Sequence, residues 1–412
     1  MTRGRKEKPL AAVRQQRDSI EKRIRTMCER VEGIKDSDLY LYNIPISELR
    51  GGCEVVVDGE TMLMFASYSY LGLIGHPRIN QAALDAIQRY GSGTHGVRSL
   101  AGSLDLHRRM EAKIAEFKSC DAAVTFSSGY VTNLTTISSL VGRHDYVFSD
   151  KLNHASIVDG CLLSGAEFVR FRHNDVNDLD RRLADVPDGS SKLVVTDAVF
   201  SMDGDIIDLP SVTAICRKHG AWLMVDEAHS VGVLGATGHG IEEHFGLKGA
   251  IDIKMGTLSK TIPSVGGYIA GDEDLVRYLR HQSRAYIFSA ALPPAQTAAA
   301  LAAFEVIEDE PWRAEAVQRN SRLFIEGLRA EGLDTLNTET AIVPVLCGSD
   351  ETAFQVAKDA HEEGIFVLPV ISPAVPEGMA RLRATVTAAH KPEQIERAVE
   401  VISKSAHRHG VL

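Results

Sequence analysis

The chain has 412 residues, 44% of them hydrophobic, which is enough for a large buried core and two domains. Its 45 basic and 55 acidic residues leave a net charge of −10, so non-specific nucleic-acid binding is disfavoured. Six scattered cysteines (Cys28, Cys53, Cys120, Cys161, Cys216, Cys347) make no CxxC pair, so no metal site or redox motif is expected and free thiols in a reducing cytoplasm are.

The N-terminus, Met1-Thr2-Arg3-Gly4-Arg5-Lys6, is basic but no apolar signal core follows it. From about Leu10 to Ile34, Val13, Ile20, Ile24 and Met27 recur at helical spacing. This predicts an amphipathic helix docked on the body or on a partner subunit. Glu54 to Glu60 reads as a hairpin with Asp58-Gly59 at its turn. From about 75 to 275, strand and helix patterns alternate. The apolar runs Ala122–Phe126, Leu193–Thr196 and Trp222–Val225 are strands, and helical stretches such as Leu209–His219 separate them. An α/β fold with a mostly parallel, helix-covered sheet follows. Ligands sit at the carboxyl ends of such strands, where Asp226, Ser127 and Ser128 stand. Pro293, Pro294 and Glu305 interrupt the apolar stretch from Ala290 to Ile307, and a membrane span needs about 20 apolar residues. A helix from Ala295 to Asp309, a strand at Ala341–Val345, a helix from Glu351 to Glu363 and a strand at Leu382–Val386 complete a smaller α+β domain. The predicted division is 1–60 (helix and hairpin), 61–300 (large domain) and 301–412 (small C-terminal domain).

Gly91 to Gly96 matches G-x-G-x-x-G, but a helical stretch precedes it instead of a strand, so a nicotinamide site is rejected. Ser127-Ser128-Gly129-Tyr130 follows a strand and opens a predicted helix. It reads either as a phosphate site at a helix start or as an ordinary Ser cap. Thr257 and Ser259 offer hydroxyls to the same kind of anion. Asp226 and His229 supply a carboxylate and an imidazole after a strand; the alternative is a turn-capping Asp. His154 offers an imidazole to a flat ring or is structural, while His173-Asn174-Asp175 reads as a turn. Ser201, in Ser201-Met202-Asp203-Gly204-Asp205, lies on a loop at another strand end. Lys260, 34 residues after Asp226, is a surface cation, a phosphate partner, or an amine that forms an imine.

Taken in order, these motifs resemble the α-oxoamine synthase family of fold-type I pyridoxal phosphate (PLP) enzymes over about residues 35 to 405. The resemblance rests on Tyr70-Leu71-Gly72-Leu73, Ser128-Gly129-Tyr130, Asn153-His154-Ala155-Ser156, Ser201 to Asp205, Asp226 to Ser230, Gly256 to Lys260 and Gly266-Gly267-Tyr268. It implies a seven-stranded, mostly parallel sheet and a homodimer with shared active sites. In residue terms it implies Lys260 as the Schiff-base lysine, Asp226 at the pyridine nitrogen, His229 at the ring oxygen and His154 on the ring face. Ser201 lies near the cofactor. Ser128, Gly129, Tyr130, Thr257 and Ser259 hold the phosphate, and Ser289 and Ala290 reach the phosphate of the neighbouring subunit. Arg383 holds the amino acid carboxylate, a task suited to a bidentate guanidinium.

The implied activity is decarboxylative condensation of a small amino acid with an acyl thioester, carried by coenzyme A or an acyl carrier protein, to give an α-amino ketone. Transamination and a non-catalytic scaffold subunit are the alternatives; the presence of Lys260 and Asp226 argues against the scaffold. Tyr68 stands where several members carry Asn, Ser69 replaces Asn or Asp, and the Thr94-His95-Gly96-Val97-Arg98 loop differs, so amino acid choice does not transfer. Tyr68 is placed with Arg383 in the substrate region. Arg3, Arg5, Lys6 and Lys8 read as a tail, with contact to an acidic carrier protein as the alternative.

Overall fold

The structure, a computed structural model, describes residues 10–412 apart from Asp38 and Asp188, with side chains from Ser19 onward. Its centre is a seven-stranded sheet. From one edge the strands are Ala122–Phe126, Gly267–Gly271, Ile253–Thr257, Trp222–Asp226, Lys192–Asp197, Tyr146–Asp150 and Glu167–Phe171. Gly267–Gly271 runs antiparallel to both neighbours, and the other adjacent pairs are parallel. Central strands are covered on both faces, which is why Ile253–Thr257 is buried at every position. Apolar clusters fill both sides. One is built on Val194, Leu223 and Val225, and the other on Val195, Met224 and Met255.

The parallel strands deliver their last residues to one edge of the sheet. Asp226, Asp197 and Thr257 each end a strand there, and Asp197 pairs with Asp226 across the ladder. The helix Pro294–Asp309 is buried on nearly all sides and packs against Pro77–Tyr90 and Asp105–Phe117, which accounts for its apolar composition. Among the described residues, no helix is long and apolar enough to cross a membrane.

A second sheet orders Ile342–Gly348, Ala380–Thr385 and Leu368–Val370, backed by Asp350–Glu362 and Pro392–Arg408. The predicted hairpin forms between Glu54–Val57 and Glu60–Met64. Asp58 (φ 50°) and Gly59 (φ 87°) both take the left-handed conformation that a tight two-residue hairpin turn requires. The strand Glu60–Met64 also pairs in parallel with Ile365–Phe366, which joins the hairpin to the C-terminal part.

The N-terminal helix spans Leu10–Asp36. Its stripe does not dock on the body: Ile20, Ile24 and Met27 are 55%, 59% and 59% exposed. The Val13 side chain and the basic residues Arg3, Arg5, Lys6 and Lys8 lie outside the described residues.

Candidate active site

A cavity of about 370 Å³ opens at the strand-end edge of the main sheet. Residues from six separate stretches of chain meet in it, among them Tyr68, Ser128, His154, Ser201, Asp226 and Lys260.

At one end, Ser128 caps the helix Gly129–Leu140, its hydroxyl accepting from the Val131 N–H at 3.2 Å. Gly129, the first residue of that helix, lies against Thr257, whose hydroxyl is 2.9 Å from that of Ser259. A Cβ on Gly129 would sit 2.9 Å from Thr257 Oγ1, and one on Gly267 would sit 2.8 Å from the Gly129 Cα. Two glycines therefore hold a helix start and two hydroxyls close together, an arrangement that suits a phosphate. The Tyr130 hydroxyl hydrogen-bonds Asp159.

Asp226 is 4% exposed and ends its strand facing the cavity. Oδ1 accepts from the Ala228 N–H at 2.9 Å and Oδ2 from Asn133 Nδ2 at 2.7 Å. Asn133 Nδ2 also donates to Ser156 Oγ at 2.9 Å, and that hydroxyl lies 2.7 Å from His154 Nδ1. His154 caps the helix Ala155–Ser164, and its own N–H donates to Asp197 Oδ2 at 2.8 Å. One network thus connects the imidazole to the carboxylate. Burial lowers the His154 pKa, with Asp226 pulling the other way. Burial and the neighbouring Asp226 charge push the Asp197 carboxyl well above its ordinary range.

Lys260 Nζ lies 2.8 Å from His229 Nε2, and His229 Nδ1 lies 2.7 Å from the Tyr70 hydroxyl. Burial brings the Lys260 amine down to about 8, against the opposing pull of Asp226 and Asp197. Burial, then the Lys260 and Arg383 charges, hold His229 well below its ordinary value, so its ring is neutral.

Arg383 lies on the strand Ala380–Thr385, buried, with Nε donating to the Ser201 carbonyl at 2.7 Å. Its Nη2 is buried with no hydrogen-bond partner among the described residues. The Tyr68 ring covers both cations, 4.9 Å from the Arg383 guanidinium and 5.6 Å from Lys260 Nζ. An unpaired buried guanidinium nitrogen is costly, and a carboxylate ligand would satisfy it.

Ser289 and Ala290 do not line this cavity. They lie with Ser127 and Tyr286 at a separate, smaller pocket, where Ala290 forms an isolated bridge to Val97. His95 is exposed on the adjoining loop, and Ser69 is buried with no partner for its hydroxyl among the described residues. His173 and Asn174 do form the expected turn, and the His173 ring bridges Asp150 at 3.1 Å and Asp205 at 3.0 Å.

Asn133, Ser156, Asp197 and Tyr70 are the site residues that sequence reading passed over as functional groups. Asp197 carried a usable signal, because it ends an apolar strand in the same way as Asp226. Asn133 carried none.

The donor set fits PLP: a helix start with two hydroxyls for the phosphate, a buried carboxylate for a protonated pyridine nitrogen, and an amine with a lowered pKa.

Comparison with known proteins agrees. The family model for aminotransferase class I and II matches residues 60–402. The serine palmitoyltransferase of Sphingobacterium spiritivorum is 43% identical over 370 residues, covering 90% of this chain and 92% of that protein. The 8-amino-7-oxononanoate synthase of Geobacter metallireducens is 46% identical over 363 residues, covering 88% and 93%. The solved serine palmitoyltransferase of S. paucimobilis, which carries PLP joined to myriocin, superposes with a TM-score of 0.91 at 35% identity, covering 94% of this chain and 98% of that one. The chain belongs to the aminotransferase class I and II family and, within it, to the PLP-dependent acyltransferases of the α-oxoamine synthase type.

Proposed function

We propose that this enzyme condenses a small amino acid with an acyl thioester, with loss of CO2, to give an α-amino ketone. The observation that supports this reading is the buried Arg383 Nη2, without a hydrogen-bond partner among the described residues, under the Tyr68 ring that lines the cavity with Lys260, His229 and Asp226. Bound PLP supplies an electron sink for the charge left at the amino acid α-carbon.

The chain's own groups do the rest. Arg383 binds the substrate carboxylate, and the Tyr68 ring lies over that guanidinium and narrows the space beside it. Lys260, with a pKa of about 8, can accept and return a proton near neutral pH. Neutral His229 accepts a hydrogen bond at Nε2 from Lys260 Nζ and orients that amine. Asp226, fixed by Asn133 and the Ala228 N–H, would hold positive charge at the pyridine nitrogen of bound PLP. His154, which lines the same cavity, would cover one face of a bound pyridine ring and could meet the incoming thioester carbonyl. Ser128, Gly129, Tyr130, Thr257 and Ser259 anchor the phosphate, with Ser201 close to the cofactor.

The working unit in this reading is a cytoplasmic homodimer with shared active sites, Ser289 and Ala290 serving the neighbour's phosphate. The exposed Ile20, Ile24 and Met27, with Leu100 at 83% and Phe288 at 72% exposure, support a further surface being covered. The thioester is carried by coenzyme A or an acyl carrier protein.

The test is CO2 release from amino acids in the presence of acyl thioesters. Lys260→Ala should abolish it, and activity retained by that variant would sink the reading. Amino group transfer to a keto acid at comparable rates without thioester would favour transamination instead.

A further inference from the structure

Next to the catalytic cavity lies a second one of about 350 Å³, within the size range of small-molecule sites. Its floor is apolar: Val55, Met64 and Phe366 are 3%, 8% and 5% exposed and belong to one small apolar cluster. Its lip is apolar as well, with Ile46, Leu49 and Ile74 left 40%, 55% and 39% exposed.

Two independent pieces of geometry join this groove to the reaction site. Ser67 lines the groove and Tyr68 lines the catalytic cavity, and consecutive Cα atoms are only about 3.8 Å apart. Leu368 lines the groove and is the direct cross-strand partner of Arg383. Directly opposed residues in an antiparallel pair have Cα atoms about 4.5–5.5 Å apart. The groove therefore begins beside both residues that cover the substrate carboxylate.

Its charge is equally informative. No lysine, arginine or histidine is among the described residues lining it. The lining does include Glu54, whose carboxylate accepts from Gln394 Nε2 at 3.2 Å. The lining offers a chain-end carboxylate one like charge and no cation; of the cations beside it, Arg50 is paired with Glu48 at 2.9 Å and Lys391 acts on the Cys53 thiol.

We infer that this groove takes the alkyl chain of the acyl donor, and that the donor is an uncharged fatty acyl thioester several methylenes long. This rests on the condensation reading above. The thioester end stays at Lys260 and His154 while the chain passes Tyr68 into the groove. Each methylene removed from water is worth roughly fourfold in binding, so the groove selects for length.

The experiment uses the PLP-loaded enzyme with its best amino acid and four donors: acetyl-, octanoyl-, dodecanoyl- and ω-carboxyoctanoyl-coenzyme A. The expected kcat/KM rises about 10-fold or more from acetyl to octanoyl, and the carboxylate-ended chain falls well below octanoyl. Ile46→Asp and Leu49→Asp, both at exposed lip positions that tolerate a charge in folding, should cut octanoyl and dodecanoyl turnover about 10-fold. They should leave acetyl turnover and the amino-acid-induced spectral change as they are. A flat length profile, a preference for the carboxylate-ended donor, or equal slowing of acetyl and long donors would overturn the assignment while leaving condensation intact. Dissociation of the oligomer by either variant would also overturn it, because a second copy would then be the occupant. If no donor supports CO2 release, the condensation reading fails and the groove's occupant with it.

Discussion

The Tyr70 hydroxyl lies 2.7 Å from His229 Nδ1, although the two residues are 159 positions apart, and His229 Nε2 in turn meets Lys260 Nζ at 2.8 Å. Tyr70 is fully buried, and burial raises its hydroxyl to about 12, so it remains protonated across the working range. It acts on the amine through the imidazole. Tyr70→Phe leaves a buried ring nitrogen unpaired, which should cost about 1–3 kcal/mol in denaturant unfolding. The same variant should shift the pH midpoint at which Lys260 titrates; unchanged stability and an unchanged midpoint would remove Tyr70 from this role.

Lys260 should lose its proton around pH 8, not near 10.5. Burial penalises the cation, so the neutral amine prevails above about pH 8. In the apoenzyme, the rate of PLP uptake should therefore rise through pH 7–9 with a midpoint near 8. An uptake profile still rising at pH 10 would show that Lys260 is solvated.

Arg383→Gln removes the charge but keeps a polar group on the buried strand. A charge-assisted hydrogen bond contributes about 1.5–3 kcal/mol, so the amino acid KM should rise about 10- to 100-fold. PLP affinity should be nearly unchanged. Spectral titration with the amino acid, beside cofactor titration, separates the two.

Gly267→Ala places a methyl group 2.5 Å from Thr132 Oγ1 and 2.8 Å from the Gly129 Cα. The helix start that holds the phosphate must then shift, at a cost of about 1–3 kcal/mol. PLP binding should weaken about 5- to 150-fold on the same scale, measured by cofactor release on dilution. Gly51→Ala, at a left-handed turn with nothing within 4 Å, serves as the comparison for backbone strain without crowding.

His173 links the strand-end carboxylate Asp150 to Asp205 on the Ser201 loop. Burial pulls its pKa down, but hydrogen bonds to both carboxylates outweigh this and raise it to about 10. Its folded pKa lies above the unfolded value of about 6.5, so the stabilisation is complete below that pH. It is lost as pH rises through about 10. The melting temperature should fall between pH 7 and 10, and His173→Gln should flatten that fall.

Much of this was legible in the chain. The apolar runs at 122–126 and 222–225 became strands, Leu209–His219 became a helix with those bounds, and Asp58-Gly59 turned the hairpin. Asp226 and Lys260 were found because each follows a strand or a glycine-hydroxyl loop. These signals are local: side-chain periodicity and turn chemistry follow from backbone geometry within a few residues.

Contacts between distant segments were not legible. That Asn133 reaches Asp226, that Asp197 stands beside it in register, and that Leu368 sits opposite Arg383 all depend on strand order and pairing. The stripe of Ile20, Ile24 and Met27 reads as a face to be buried, but folding of the single chain leaves it exposed. Strand order and register are chosen by how the helices and sheet faces pack as a whole. Residues as far apart as Ser201 and Arg383, 182 positions, then meet at distances of a few ångströms, and the chemistry of the site depends on those meetings.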